Sequence, residues 1–244
     1  MFRYVAFTSL IVNDFMRAEK FYTDLGLIRE ANGHRYHLPE GGCILMSNKT
    51  QELPENVLGS LAIEVDNLKA TLHELQKKEI KCVSSIETPA FYLALIKDSE
   101  DNNIVLHESK TIKKEVIAFN KAGQLKKVAY TSYRVKDFAG AREFYRKLGL
   151  EEYAVHEEYG YAEYNFPEGG CLAISTNPVM TANYPHSTVV FEVQNLDKLI
   201  SKFTHTQVVK SVFDMHVCRM FVVKDSEGNA IALHQLKNPK HDNK

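Results

Sequence analysis

Val5-Ala-Phe-Thr-Ser-Leu-Ile-Val-Asn-Asp-Phe-Met-Arg-Ala-Glu-Lys-Phe-Tyr-Thr-Asp-Leu-Gly-Leu27 returns, without a gap, as Val128-Ala-Tyr-Thr-Ser-Tyr-Arg-Val-Lys-Asp-Phe-Ala-Gly-Ala-Arg-Glu-Phe-Tyr-Arg-Lys-Leu-Gly-Leu150. Repetition on this scale means two copies of one structural unit, and a binding site is then expected where the copies meet. The likeness continues outward. Pro39-Glu-Gly-Gly-Cys43 returns as Pro167-Glu-Gly-Gly-Cys171, and Asp98-Ser-Glu-Asp-Asn102 as Asp225-Ser-Glu-Gly-Asn229, so the duplication spans nearly the whole chain.

Each copy opens with an apolar, β-branched run, 5–12 and 128–135, that reads as a strand buried on at least one face. A helix follows: Asp14 and Asp137 suit its N-cap, and Phe15, Ala18, Phe21, Tyr22 and Leu25 recur at helical spacing until Gly26, matched by Gly149, supplies a left-handed stop. Strands at 35–38 and 43–47, and at 161–166 and 171–175, flank Pro-Glu-Gly-Gly turns and read as hairpins. The order then repeats, with a strand at 60–65 or 188–193 and a helix from Asn67 or Asn195. Leu68, Leu72 and Leu75, or Leu196, Leu199 and Phe203, form that helix's buried stripe, and further strands run to His107 and Gln235.

Each copy is thus two β-α-β-β-β units, and the fold class is α+β. Residues 1–109 form the first module, 110–125 a Lys-rich linker, 126–237 the second module and 238–244 a polar tail. Within the linker, Val116-Ile-Ala-Phe119 suits a short helix or an extra strand.

Composition narrows the function classes. With 244 residues, 44% hydrophobic and 25% charged, the chain matches a globular protein with two domain-sized cores. A formal net charge of -1, with basic and acidic residues interspersed, offers no footprint for nucleic acid or an anionic membrane, so neither is an expected partner. The N-terminus lacks the apolar core of a signal peptide and no run reaches membrane-spanning length, which implies a cytoplasmic protein. Its four cysteines form no Cys-x-x-Cys pair and read as reduced, mostly buried thiols; Cys218 alone lies on a candidate pocket strand.

Phe-Tyr-x-x-Leu-Gly-Leu after the first strand, Asp-x-x-Gly-Asn before the last, and the paired β-α-β-β-β units together resemble the glyoxalase / bleomycin-resistance / extradiol-dioxygenase superfamily, also called vicinal oxygen chelate proteins. The resemblance implies curved mixed sheets forming open cups, with helices outside and the ligand or metal inside. Enzymes of the superfamily hold a divalent metal with His, Gln or Glu from four strands. Carried over by motif, those positions fall on Phe7 and Tyr130, Leu45 and Ala173, Ser60 and Thr188, and Val105 and Ala232. None suits a metal, which needs imidazole, carboxylate or thiolate donors, and sliding the second position to Met46 or Ile174 does not help. No metal and no cofactor is therefore expected.

Strand alternation indicates what else lines the cups. Tyr130, Ser132 and Arg134 share a face, as do Ala232 and His234; the first copy offers Phe7, Ser9 and Ile11, with Val105 and His107. The second copy is thus the richer candidate pocket, unless the two cups differ in ligand. Arg134 can clamp a carboxylate or phosphate, or end a strand at the surface. His234 can donate to a ligand oxygen or act as a base, although its repetition as His107 argues for a structural task.

Glu163 replaces Arg35 of the first copy, and Tyr161, with Tyr153, Tyr159 and Tyr164, offers an aromatic wall or ordinary packing. His216 and Cys218 share one strand face and Arg219 takes the other, with the inward face open. A noncanonical metal site would have to draw on His186, His216 and His234.

The leading expectation is a metal-free protein that binds a small molecule in a β-lined cup, with Tyr130, Arg134, Tyr161, Glu163, His216, Cys218 and His234 as contacts. Sequestration of a toxic compound, as in bleomycin-resistance proteins, would fit. The alternative is a lyase, isomerase or dioxygenase with an atypical or metal-free site, and a third reading is a structural module with filled cups. Two fused copies permit a monomer as well as a homodimer.

Overall fold

The computed structural model describes residues 2–31, 33–48, 59–110, 123–179 and 187–237. The first copy contains β1 (Phe2–Ile11), α1 (Phe15–Asp24), β2 (Ile28–Arg29), β3 (Arg35–His37), β4 (Cys43–Ser47), β5 (Leu61–Val65), α2 (Leu68–Lys77), β6 (Cys82–Glu87), β7 (Phe91–Lys97) and β8 (Asn103–Ser109). The second contains β9 (Leu125–Arg134), α3 (Phe138–Leu148), β10 (Glu152–His156), β11 (Tyr161–Asn165), β12 (Cys171–Ser175), β13 (Thr188–Val193), α4 (Leu196–Ile200), β14 (Val208–Asp214), β15 (Cys218–Lys224) and β16 (Ala230–Leu236). Residues 111–122 of the linker, with Val116–Phe119, and the tail from 238 lie outside the described residues.

Each copy makes one eight-stranded mixed sheet, ordered β2-β3-β4-β1-β5-β8-β7-β6 and β10-β11-β12-β9-β13-β16-β15-β14. The two β-α-β-β-β units of a copy meet at its centre, where β1 pairs antiparallel with β5 and β9 with β13. β2 and β10 complete each unit at the sheet edge; β2 has two residues and none of the five in β10 is buried, which leaves little hydrophobic pattern to read.

Local chemistry explains the helices. Asp14, Asn67, Asp137 and Asn195 each accept a first-turn amide, satisfying a donor that the helix leaves free. α4 is shorter than its apolar stripe predicts, because the chain tightens after Ile200 through Lys202 N to Leu199 O and Phe203 N to Ile200 O bonds. Phe203 is nonetheless buried beyond the helix end.

One face of each sheet carries the helices and packs against the other copy. Leu10, Tyr22, Ile44 and Met46 of the first copy share a core with Phe191, Leu196, Leu199 and Leu233 of the second, and Leu61, Leu75 and Leu106 pack likewise with Tyr133, Tyr145 and Ile174. The two repeated motifs lock this interface. Tyr22 OH donates to Asp225 Oδ2 at 2.8 Å, and Tyr145 OH to Asp98 Oδ2 at 2.9 Å. Asn229 Nδ2 donates to Ile11 O (2.8 Å), and Asn102 Nδ2 to Arg134 O (3.0 Å).

Glu227 and Glu100 each accept two backbone amides leading into the opposite copy's first helix, at Asn13 and Asp14 and at Lys136 and Asp137. The Pro-Glu-Gly-Gly turn serves the same end: a Cβ on Gly42 would lie 2.6 Å from Val128 Cβ, and one on Gly170 2.5 Å from Val5 Cβ. Phrases that mark the fold in sequence are therefore the contacts that hold copy to copy.

Candidate functional site

The other face of each sheet forms the cup, and strand alternation places its side chains as the sequence pattern predicts. In the second cup, Tyr130, Cys171, Ala173, Val190, Cys218, Met220, Val222, Ala230 and Ala232 form one buried cluster. The Tyr130 ring stands edge-on to Tyr161 (6.1 Å) and to His234 (6.0 Å), and Tyr161 OH donates to Glu163 Oε1. Tyr130, Tyr161, Glu163, Cys218 and His234 are thus brought together.

Burial sets the ionisation of this cup. It lowers the His234 imidazole to about 4, so the ring is neutral near pH 7. The same desolvation raises the phenols of Tyr130 and Tyr161 far above their ordinary range and pushes the Cys218 thiol up to about 11. Cys218 is accordingly a protonated wall residue rather than a nucleophile.

Among the described residues, three buried polar atoms of this cup have no hydrogen-bond partner: Ser132 Oγ, Thr188 Oγ1 and His234 Nε2. Ser132 and Thr188 face each other across β9 and β13, while His234 lies level with Glu192, four residues along β13 from Thr188. At about 3.3 Å per residue the unpartnered atoms mark the two ends of a floor roughly 13 Å long, with Tyr130 between them.

The first cup uses the same positions differently. Ser9 Oγ bonds Ser47 Oγ at 2.8 Å. His107 Nδ1 bonds Glu64 Oε2 closely, Glu64 Oε1 accepts from Ser109 N (3.0 Å), and Arg35 Nη2 lies 3.3 Å from His107 Nε2. A guanidinium can only donate, so Nε2 accepts and Nδ1 carries the proton given to Glu64. Phe7 and Phe91 flank the His107 ring at 5.7 and 5.8 Å. In the second copy Lys126 and Lys127 reach Glu192 instead, at 2.6 and 3.3 Å, and Glu163 stands where Arg35 donates in the first, so that His234 Nε2 has no partner among the described residues.

One expected contact falls elsewhere. His216 is exposed in the turn between β14 and β15, because β14 ends at Asp214, so it does not share a strand face with Cys218. Arg134 sits half-buried at the end of β9, two residues beyond Ser132, and its carbonyl serves the copy-to-copy lock. The open choice of inward face is settled: Cys218 points into the cup, and Arg219 points out to Asp197 at 2.9 Å. Glu64 and Glu192 carry no expectation from the sequence reading, yet each is a charge inside an otherwise apolar strand, repeated at one position in both copies.

Where the copies meet, a cavity of about 560 Å³ is lined by the two Pro-Glu-Gly-Gly turns with Tyr4, Lys127 and Asn165. Its charged groups are paired: Glu40 with Lys126, Glu168 with Arg3 and Lys127 with Glu192. Cys43 and Cys171 each line both this cavity and their own cup.

No family model and no curated relative matches the chain. Solved structures do. Homoprotocatechuate 2,3-dioxygenase from Arthrobacter globiformis superposes with a TM-score of 0.69 at 13% identity, covering 98% of this chain and 82% of that one. A variant of the Brevibacterium fuscum homoprotocatechuate 2,3-dioxygenase gives 0.68 at 14%, covering 98% and 74%, and a catechol 2,3-dioxygenase gives 0.60 at 13%, covering 98% and 94%. The chain shares its tandem fold with these dioxygenases.

The metal associated with enzymes of the vicinal oxygen chelate superfamily can be tested against the donors present. Phe7, Leu45 and Val105 face the first cup, and Tyr130, Ala173 and Ala232 the second; with Ser60 and Thr188, the aligned positions offer carbon, two aliphatic hydroxyls and one un-ionised phenol. Met46 and Ile174, one residue along, turn into the opposite core. Among the described residues no three His, Cys, Asp or Glu side chains are grouped to hold an ion. His186 lies outside the described residues and His216 is in its exposed turn. The superfamily's metal does not fit these cups.

Proposed function

We propose that this chain is a small-molecule-binding protein of the vicinal oxygen chelate fold, with its ligand in the second cup and no metal in the site. The observation that carries the reading is the set of unpartnered buried atoms, Ser132 Oγ, Thr188 Oγ1 and His234 Nε2. Each such group costs roughly 1–3 kcal/mol when left unmade, and a bound molecule that supplies the missing hydrogen bonds removes that cost. The ligand is amphiphilic: polar at both ends, where it meets these atoms, and apolar or aromatic in the middle, where it meets Tyr130, Met220 and Ala232.

An imidazole held at about 4 is a weak base at neutral pH, which favours binding over proton transfer. Sequestration of a harmful compound, the task of bleomycin-resistance proteins, is the form of binding we favour. The reading keeps the chain in the cytoplasm, where its four free thiols stay reduced, and lets one chain act alone because both modules are fused.

Native mass spectrometry of protein purified without chelator tests the reading. One organic molecule per chain, absent from a Ser132→Ala, Thr188→Val, His234→Phe triple variant, is the expected result. Stoichiometric zinc, nickel, manganese or iron, lost in His234→Ala, would overturn it.

A further inference from the structure

We infer that the first cup is a second and separate binding site, selective for small aromatic carboxylates, with Arg35 as its anchor. The inference rests on how this cup spends its charges. Both oxygens of Glu64 are committed, one to His107 and one to Ser109 N. Arg35 gives one donor to His107 Nε2 and lays its guanidinium over the Phe7 ring at 4.9 Å, but makes no ion pair among the described residues. Four of its five N–H groups remain, enough for the parallel two-bond grip that a carboxylate accepts and a neutral molecule does not.

The walls set the rest of the ligand. Ala62, Leu93, Leu95 and Val105 form an apolar floor, with half-buried Leu45 and Phe91 packed against it. Phe7 and Phe91 present rings beside the cation, so a planar aromatic body can pack against them while its carboxylate meets Arg35. The 560 Å³ cavity borders this cup through Cys43, which lines both. The second cup has Glu163 where the first has Arg35, which repels the same anion, so the two sites divide ligands by charge.

Calorimetric titration of the full chain with benzoate, and separately with its neutral isostere benzamide, tests this. Saturable 1:1 binding of benzoate, with benzamide at least roughly tenfold weaker, is expected. Arg35→Gln should lose roughly tenfold or more of benzoate affinity and Arg35→Lys less, with unchanged circular dichroism, whereas Thr188→Val in the other cup should bind benzoate as the parent does. Equal affinity for benzoate and benzamide, no binding of benzoate, or an undiminished Arg35→Gln variant would each refute the site. The isostere comparison needs no variant, and benzoate binding lost in Thr188→Val but kept in Arg35→Gln would move the anion to the second cup.

Discussion

In the first cup Glu64 holds His107, which in turn accepts from Arg35; in the second, the equivalent Glu192 is drawn to Lys126 and Lys127, and among the described residues His234 Nε2 has no partner. The strands and their order are the same. What differs is a handful of residues: Arg3 and Tyr4 become Lys126 and Lys127 at the start of the central strand, and Arg35 becomes Glu163. Two amines at one strand end thus redirect a buried carboxylate, and the exchange of Arg35 for Glu163 removes the donor that would meet the histidine's Nε2. Duplication allows this, because one copy can close the bonds around its histidine while the other leaves the equivalent histidine open.

The sharpest way to break the comparison is to remove the glutamates. Glu64→Ala leaves His107 and Ser109 N without their acceptor in a buried setting and should cost about 3–5 kcal/mol of unfolding free energy in urea. Glu192→Ala releases two lysines that already reach solvent, and should cost only about 1 kcal/mol. Equal losses would mean that the two carboxylates do the same work.

Next comes pH. His234 titrates at about 4 in the folded chain and near 6.5 when unfolded, so between these values the unfolded state binds more protons. Stability from this group is therefore full above about pH 6.5 and falls as pH drops toward 4, by about 3 kcal/mol. His234→Phe should flatten that part of the profile in denaturant melts from pH 7 to 4.5. An unchanged slope would place the titration elsewhere.

Smaller effects separate the hydroxyls. Thr188→Val removes an unpartnered hydroxyl at nearly constant shape and should stabilise the ligand-free protein by about 1 kcal/mol, whereas Ser9→Ala strands Ser47 Oγ and should destabilise it by a similar amount. The smallest contrast concerns the paired turns, where Asp101 takes the left-handed conformation (φ 66°) that Gly228 takes in the other copy (φ 89°). Asp101→Gly should raise stability by up to about 1 kcal/mol in thermal melts, and Gly228→Ala should lower it by about as much.

The fold was legible because its determinants are local and stated twice. Asp14 and Asp137 cap, Gly149 stops, and the strand alternation from Phe7 and Tyr130 onward holds through the cup-facing residues. Residues 28–29 were not legible, since a two-residue edge strand exists only through its pairing with β3. In the site, alternation put Tyr130, Ser132 and His234 on one face, but it failed at His216, where a turn begins before the pattern suggests. Glu64 and Glu192 left a readable trace, a glutamate in Ala-Ile-Glu-Val and in Val-Phe-Glu-Val. Their opposite choices of partner left none, because these depend on which side chains meet across neighbouring strands.

Electron density for the second cup of protein purified without added ligand or chelator is the most direct test. An organic molecule with polar atoms within about 3 Å of His234 Nε2 and of Thr188 Oγ1, and no ion held by protein atoms, is the predicted result. An ion ligated by the cup's side chains, or the three open atoms bonded among themselves around a filled interior, would contradict it.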